Sequence, residues 1–415
     1  MNKVFTEKDY ITEQERYKDF CNAHLKLDMS RGKPEKAQLD LSDGLLKVLS
    51  ETGTSGTQDY RNYGLLDGIP EAKKLFAELT NVDTKEIMVL GNASLSIMYE
   101  FLQRGLQFGV LDNKPLNAQG KIKWLCPAPG YDRHFAITEL FGIEMITIPM
   151  TETGPDMDMV EKLVEADETI KGIWCVPKYS NPQGITYSDE TVERFAKLQP
   201  KAKDFRIYWD NAYMVHFVTE DVPLKNLLNE AKKYNNENIV YMFGSTSKIT
   251  YAGAGISFVV ASEENINSQR KYMTMQTIGF DKLNQLAHCK FLKSTENILE
   301  HMKKHAAIMK PKFLIVDSIL KEELSEIASW ISPKGGYFIS CDLENGTAKR
   351  TVALAKEAGV IFTGAGATFP YKIDPNDSNI RIAPSFPPIS ELEVAMRVLC
   401  CCAKLAYMEK QFGIK

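Results

Sequence analysis

The sequence lacks any apolar run that could cross a bilayer, which requires about 20 consecutive apolar residues. Its first twenty residues, MNKVFTEKDYITEQERYKDF, are charged throughout and lack the apolar core of a secretory signal peptide. A large excess of one charge is also missing, because the formal net charge of the 415 residues is −4. These absences argue against a membrane surface or nucleic acid as the main partner. We therefore expect a cytoplasmic protein.

Cysteine is present, but not in the pattern of a disulfide framework or a metal site. None of the eight cysteines forms a CxxC pair, and most lie inside apolar segments. Neighbouring residues of a helix point in different directions, so the run Cys400-Cys401-Cys402 is poor geometry for tetrahedral ligation. We interpret the run as the packing surface of an apolar helix and expect no metal.

Repeats and low-complexity tracts are absent too, and the length suggests two or three domains. The middle of the chain contains short runs that are apolar on both faces and separated by segments long enough for helices. This pattern predicts a mostly parallel sheet between helical layers, and the short link before the last run allows an antiparallel final strand. The seven predicted strands are 86–90, 121–126, 144–148, 172–176, 206–210, 238–243 and 256–261.

The pattern changes after residue 262, where it is helical to about residue 320. Three later runs predict strands of a second, smaller sheet, and the last segment, 390–412, predicts one long amphipathic helix. These three runs are 335–343, 359–364 and 379–385. The predicted fold is therefore α/β, with a large domain at 56–300, a smaller α+β domain at 301–415 and an N-terminal segment at 1–55.

A lysine flanked by small hydroxyl residues follows the strand NIVYMF, in the segment GSTSKITYAGAG (244–255). The amine of Lys248 can form an imine with an aldehyde cofactor, and Ser245, Thr246 or Ser247 can hydrogen-bond a phosphate. For this segment alone, a surface turn rich in Ser, Thr and Lys is the better interpretation. The lysine becomes informative only beside other segments.

A carboxylate ends the strongly apolar strand RIYWD, where an unpaired charge would be costly. Asp210 at that position could face a pyridine nitrogen and keep it protonated, which strengthens the electron-sink character of the ring. Tyr213, three residues later, could donate to a phenolate oxygen of the same ring. The alternative is a helix N-cap aspartate with a packing tyrosine.

Two further turns follow predicted strands. In CVPKYSNPQGITY (175–187), Asn181-Pro182 and Gly184 supply turn chemistry and leave the Asn181 amide available to a cofactor oxygen. In EIMVLGNASLSIMYEFL (86–102), a strand and a turn of small residues precede an apolar helix. The backbone N–H groups of this turn suit a phosphate, and they belong to Asn92, Ala93 and Ser94.

Taken in order, these four segments resemble the fold-type I aminotransferases of class I/II, which depend on pyridoxal 5′-phosphate (PLP). The resemblance covers nearly the whole chain and implies PLP carried as a Schiff base on Lys248. It also implies that Asp210 faces the ring nitrogen and Tyr213 the ring oxygen. Tyr131, in CPAPGYDRHF, falls where the family stacks an aromatic ring on the cofactor, and completes the implied catalytic set with Lys248 and Asp210.

The resemblance extends to the substrate site and to a homodimer. Tyr63, in YRNYGLLDGIP, matches a tyrosine that reaches the phosphate of the neighbouring subunit. Arg381, in SNIRIAPSFP, matches the arginine that clamps the substrate α-carboxylate, and Gly32, in MSRGKP, matches a glycine over the substrate. Residues 1–55 are then expected to pack on the small domain and on the dimer partner.

One position departs from the family pattern. The arginine that usually contacts the phosphate after the lysine is replaced here by Ile256, so hydroxyls and backbone N–H groups must contribute more. The segments GNASLSIMY, PGYDRHF and STSKITYAGAG are similar to those of a MocR-like subgroup, whose members resemble aspartate aminotransferases in activity. MocR regulators carry an N-terminal winged-helix domain, for which we expect no room because the enzyme motifs begin by about residue 30.

The implied reaction moves an amino group from an amino acid, with aspartate preferred, to 2-oxoglutarate. Arg133 is the predicted partner of the substrate side-chain carboxylate, with Arg31 as its rival, although Arg133 could instead pair with Asp132 or Glu139. The other interpretations are an aminotransferase of aromatic amino acids, alanine or 2-aminoadipate, a PLP-dependent C–S lyase, and a non-catalytic effector-binding module.

Overall fold

The computed structural model describes residues 3–49 and 58–414, together with the backbone of residues 54–55. Short segments connect strands and helices along most of this chain. The strands in the described residues are β1 (Leu27–Asp28), β2 (Thr54–Ser55), β3 (Gln58–Asp59), β4 (Ile87–Val89), β5 (Lys123–Ala128), β6 (Glu144–Thr151), β7 (Gly154–Pro155), β8 (Ile170–Cys175), β9 (Arg206–Asp210), β10 (Val240–Ser245), β11 (Ser257–Ala261), β12 (Ala328–Trp330), β13 (Ile339–Leu343), β14 (Val360–Ile361) and β15 (Asn379–Ile382).

The α-helices in the same part of the chain are α1 (Glu7–Asn22), α2 (Lys36–Asp40), α3 (Pro70–Thr80), α4 (Ser94–Phe108), α5 (Asp132–Leu140), α6 (Met157–Ala166), α7 (Asp189–Lys197), α8 (Leu227–Lys232), α9 (Glu263–Gln276), α10 (Lys282–Leu292), α11 (Thr295–Leu324), α12 (Ala348–Glu357) and α13 (Ile389–Phe412). Short 3-10 helices lie at Asp43–Lys47, Thr84–Glu86, Leu116–Ala118, Glu237–Ile239 and Pro370–Lys372. None of these helices combines the length and apolar character needed to span a bilayer.

The large sheet has the strand order β4-β11-β10-β9-β8-β5-β6-β7. Neighbouring strands from β10 to β6 run parallel, whereas β11 is antiparallel to both β10 and β4. The predicted mostly parallel sheet is confirmed, and its last strand in sequence, β11, is antiparallel as the short link allows. The predicted number of seven strands needs correction, because the two residues of β7 form an eighth strand in a hairpin with β6. A Gly-Pro pair carries no strand signal of its own.

The central strands are buried on both faces because apolar side chains alternate between two cores. In β9, Ile207 and Trp209 pack on one side of the sheet, and Tyr208 packs on the other. The same alternation occurs in β5, where Leu125 and Trp124 point to opposite sides. Such continuous apolar runs are typical of parallel strands covered by helices on both faces.

The smaller sheet contains β12, β13 and β15, all antiparallel. Two of the three predicted runs, 335–343 and 379–385, lie in it. The prediction for 359–364 was wrong: β14 leaves this sheet and pairs in parallel with β1, with Leu27 opposite Val360. A two-residue strand has no sequence signal that identifies its partner, and here the partner comes from the N-terminal segment.

The N-terminal segment also packs on the C-terminal helices. The backbone N–H of Phe5 donates to Gln411 Oε1 (3.0 Å), and the Tyr17 hydroxyl donates to the Leu354 carbonyl (3.0 Å). The cysteine run at 400–402 is fully buried on α13, as the packing interpretation predicts. The boundary placed at 300/301 falls inside α11, and the division into domains stays a prediction.

Candidate active site

The carboxyl ends of the parallel strands deliver most of the predicted site residues to one edge of the large sheet. Asp210 is the last residue of β9, and Ser245 is the last residue of its neighbour β10. Asn181 follows β8 in a turn in which Gly184 adopts a left-handed conformation (φ 72°). Ligands in open α/β sheets bind at this edge, beyond the carboxyl ends of the strands.

These residues enclose a cavity of about 240 Å³. Ten of the residues that sequence reasoning named for the site line this cavity, and they come from six separate segments of the chain. They are Gly32, Ala93, Ser94, Tyr131, Asn181, Asp210, Tyr213, Ser245, Ser247 and Lys248.

Lys248 is half-buried at this cavity, with its Nζ 4.8 Å from the centroid of the Tyr213 ring. Burial lowers the pKa of its ammonium group below the usual range, although the Asp210 carboxylate acts in the opposite direction. A lowered pKa leaves a larger fraction of the amine without its proton at neutral pH, and the unprotonated amine is the form that acts as nucleophile or general base. The position therefore combines a reactive amine with room for a small aldehyde.

Asp210 is held by one oxygen only. Its Oδ2 lies 3.1 Å from His134 Nε2, and the His134 ring stacks on Trp174 with a centroid separation of 4.5 Å. Its Oδ1 is buried and has no hydrogen-bond partner among the described residues. A buried, unpaired carboxylate oxygen is costly unless a ligand satisfies it. An N–H group of a ring in the cavity would do so.

Two tyrosines complete the cavity around the lysine and the aspartate. Burial raises the pKa of Tyr131 to about 12, and the Asp210 carboxylate acts in the same direction. Burial likewise raises the pKa of Tyr213 well above its usual range. Both phenols therefore stay protonated at neutral pH and can donate hydrogen bonds to a ligand.

Four residues of the cavity lining suit a phosphate: Ala93, Ser94, Ser245 and Ser247. Helix α4 begins at Ser94, and no side chain among the described residues caps it at Ala93, which leaves first-turn N–H groups for an anion. Ser245 Oγ donates to Ser247 Oγ (3.1 Å), so both hydroxyls lie close together. Lys248 is the one cationic side chain among the described residues that line the cavity.

Ile256 and Thr246 hold the loop that carries Lys248, and neither residue lines the cavity. Thr246 N–H donates to the Ile256 carbonyl (2.8 Å), and Ile256 N–H donates to Thr246 Oγ1 (3.0 Å). The Ile256 side chain is buried in the core. The Thr246 hydroxyl therefore closes the loop that carries Lys248 instead of facing a phosphate.

Arg381 lies on β15 at the edge of the cavity, and its side chain is 7% exposed. One terminal nitrogen, Nη1, donates to Asp132 Oδ1 (2.8 Å) and to Asn181 Oδ1 (3.3 Å), and Nη2 donates to Thr363 Oγ1 (3.2 Å). The guanidinium carbon also lies 4.8 Å from the centre of the Phe338 ring. The arginine is thus held in place on several sides.

Gly32 is required by a close approach. A Cβ atom at this position would lie 2.3 Å from Cζ of Phe338, far inside van der Waals contact. The absence of a side chain lets the N-terminal segment pass directly over Phe338 and line the cavity.

Besides Thr246 and Arg381, four more of the residues named for the site lie outside the cavity lining. Asn92 is exposed and lines a neighbouring groove. Tyr63 is 82% exposed, and Arg133 and Arg31 are exposed as well. The proposed roles of these four residues stay predictions.

Comparison with known proteins agrees with this geometry. The family model described as "Aspartate amino-transferase" matches residues 5–415. The aspartate aminotransferase of Corynebacterium glutamicum is 44% identical over 401 residues, which cover 95% of this chain and 92% of that protein. The chain belongs to the aspartate aminotransferase family. It is a PLP-dependent aminotransferase that acts on small amino and oxo acids.

Two solved structures share the fold of this aminotransferase over nearly its whole length. The crystal structure of an aspartate transaminase from Corynebacterium glutamicum superposes with a TM-score of 0.95 at 42% identity, covering 98% of each chain. An α-aminoadipate aminotransferase of Thermus thermophilus has a TM-score of 0.75 at 20% identity, covering 96% of this chain and 97% of that one. The second likeness supports the fold alone. The MocR-like subgroup stays a prediction.

Sequence reasoning missed three residues of this aminotransferase site. His134 stands three positions after Tyr131, one helical turn along α5, and its spacing could have placed it on the same face. Asp132 was considered as a partner of Arg133, but it pairs with Arg381, 249 residues away. Phe338 carries no local signal, since an aromatic residue in a strand usually packs in the core.

Proposed function

We propose that this aminotransferase transfers the amino group of aspartate to 2-oxoglutarate, giving oxaloacetate and glutamate. The observation that supports this most directly is the placement of Lys248, Asp210 and Arg381 around one cavity. The choice of aspartate draws on the relative from Corynebacterium glutamicum, described as an aspartate aminotransferase and matched over 92% of its length.

The residues of the cavity fit PLP at each of its functional groups. The unpaired Asp210 oxygen can accept a hydrogen bond from the protonated ring nitrogen, and Tyr213 can donate to the ring oxygen. We assign the phosphate to the first-turn N–H groups of α4 and to the hydroxyls of Ser245 and Ser247. We assign Tyr131 to one face of the ring.

PLP, when bound, supplies an electron sink that makes the Cα–H bond of an attached amino acid acidic. Lys248, once its amine is free, would take the proton from Cα of the substrate as a base and would later donate a proton as an acid. Desolvation of the Lys248 amine lowers its pKa and keeps a larger fraction of the amine free of a proton. Asp210 would hold the ring nitrogen of the cofactor in its protonated form, because the negative charge of the carboxylate favours the cation.

Arg381 orients the substrate by binding its α-carboxylate. A planar guanidinium matches a carboxylate with two parallel hydrogen bonds, and Asn181 and Thr363 hold it in position. Fixing the carboxylate aligns the Cα–H bond with the Lys248 amine. Such alignment accounts for a large share of the acceleration in reactions of this kind.

The test is a half-reaction followed by visible absorption. Purified holoenzyme is titrated with aspartate, and oxaloacetate is quantified in parallel; 2-oxoglutarate is then added. We expect loss of the absorption band of the bound aldehyde, about one oxaloacetate per site, and recovery of the band with glutamate formation. Release of ammonia with no amino-group transfer would instead indicate a lyase, and a response to another donor but not aspartate would refute the proposed substrate.

We also propose a homodimer with a shared site. Tyr63 is 82% exposed in one chain, as expected of a side chain that is covered by a second subunit. Light scattering should give twice the mass of 46.8 kDa. A monomer that retains full activity would contradict the proposal. The cytoplasmic location expected from the sequence stays a prediction.

A further inference from the structure

The substrate-clamping arginine already binds a carboxylate that belongs to the chain. Asp132 Oδ1 lies 2.8 Å from Arg381 Nη1 and forms an ion pair with the guanidinium. The Arg381 side chain is 7% exposed, and a cation with so little access to water needs a counter-ion. Asp132 supplies this counter-ion in the absence of substrate.

The attachment of Asp132 is weak on its own side. Only one of its oxygens contacts Arg381, and its side chain is 34% exposed, so water can solvate the carboxylate when it moves away. Asp132 is also the first residue of α5, where the positive end of the helix stabilises a negative charge with or without the arginine. Release of this carboxylate therefore costs little.

Arg381 does not need Asp132 to stay in place. Asn181 and Thr363 hold its two terminal nitrogens, and the Phe338 ring packs against the guanidinium. In contrast, Nε of Arg381 is buried and has no hydrogen-bond partner among the described residues. A ligand that enters the site can supply an acceptor for this donor.

We propose that Asp132 is an internal competitor for the substrate carboxylate: it neutralises Arg381 in the free enzyme and withdraws when the α-carboxylate binds. The inference rests on the proposed function of Arg381. One carboxylate replaces another, so the buried cation is neutralised before and after binding. The consequence is a lower affinity for every α-carboxylate, amino acid and oxo acid alike.

The inference is tested by the binding of succinate and acetate, which carry carboxylates but no amino group, to the PLP-loaded holoenzyme. Dissociation constants come from calorimetry for wild type, Asp132→Asn and Asp132→Ala. We expect both variants to bind each probe about tenfold more tightly, the size of one hydrogen bond between charged groups. Glu139→Gln removes one exposed charge from the same helix and should leave both constants unchanged.

A second background separates this inference from the function on which it rests. In Arg381→Gln, binding of both probes should weaken, and adding Asp132→Asn should no longer improve it. If Asp132→Asn and Asp132→Ala weaken binding or leave it unchanged while Arg381→Gln weakens it, Asp132 positions the arginine, and the competitor role is refuted alone. If Arg381→Gln binds both probes as wild type does, the carboxylate-binding role of Arg381 and the competitor role of Asp132 are both refuted.

Discussion

His134 Nε2 lies 3.1 Å from Asp210 Oδ2, at the buried floor of the cavity, while Asp210 Oδ1 faces no partner among the described residues. One oxygen is therefore held by the protein and the other is left for a ligand. The stacking of His134 on Trp174 fixes the imidazole, which in turn fixes the carboxylate. This pair determines how the cofactor ring is held and how well it stabilises negative charge.

Asp210→Asn should reduce the rate of the aspartate half-reaction by about 100- to 1000-fold, the loss typical of one preorganised electrostatic contact. The amide keeps the size of the side chain but no longer stabilises a protonated ring nitrogen. Stopped-flow absorption measures the rate, and the spectrum of the resting enzyme reports that the cofactor is still bound. A variant with the wild-type rate would refute the role of Asp210.

His134→Leu should reduce the rate of the aspartate half-reaction by about tenfold, which is less than Asp210→Asn does. The substitution removes one hydrogen bond to a charged group but leaves the carboxylate in place. His134→Gln is the matched control, since its amide can still donate to Asp210 Oδ2, and should retain most of the rate. A larger loss of rate in His134→Leu than in His134→Gln would support the hydrogen-bond role. If both substitutions reduce the rate equally, the histidine acts through packing on Trp174.

Arg133→Ala should raise the KM for aspartate by about fivefold and leave the KM for alanine nearly unchanged. A change of about fivefold is the upper range for an ion pair open to water. The reason is that only aspartate carries a second carboxylate for Arg133 to bind. Arg31→Ala serves as the matched control, because Arg31 is also exposed and loses the same charge. Equal losses on both substrates would contradict the assignment of Arg133, and a selective loss in Arg31→Ala would transfer the role to Arg31.

Glu323 links the N-terminal helix to the C-terminal helix, and its loss should destabilise the fold. Its carboxylate accepts hydrogen bonds from three cations: Arg16, Arg397 and Lys404. Burial acts to raise the pKa of Glu323, but these hydrogen bonds lower it to about 2. Because the folded pKa is below the ordinary value, the group stabilises the fold above about pH 4.5 and loses this effect as pH falls towards 2.

We therefore expect Glu323→Gln to lower the free energy of unfolding at pH 7 by about 3 kcal/mol. The difference from wild type should shrink as the pH is reduced below about 4.5. Urea denaturation at several pH values measures both effects. Glu322→Gln is the control: its exposed pair with Arg397 should contribute less than about 1 kcal/mol. A difference that does not change with pH would show that the ion pairs are not its source.

Much of this site could be predicted from sequence because its residues follow strands in a parallel sheet. The carboxyl ends of such strands meet at one edge, so Asp210 and Ser245 had to lie near each other once their strands were recognised. Local turn chemistry located Asn181 and Ser94 in the same way. Lys248 was a weak signal alone and gained weight only from the order of the other segments.

Pairings between distant segments could not be predicted. The contact of Asp132 with Arg381 joins residues 249 positions apart, and the pairing of β14 with β1 joins two strands of two residues each. Neither contact has a local pattern, since each depends on how the small sheet and the N-terminal segment pack on the large domain. His134 is intermediate, because its helical spacing from Tyr131 was visible but its partner Asp210 was not.

The residue patterns alone determined the α/β class, the strand positions and a list of candidate site residues. They could do so because apolar periodicity and turn residues act over short distances along the chain. Packing decided which of these groups share a cavity, which Asp210 oxygen stays unpaired, and which carboxylate occupies Arg381. These outcomes depend on distances of a few ångströms between segments far apart in the chain. Such distances are determined only when the two sheets and the helices between them are packed together.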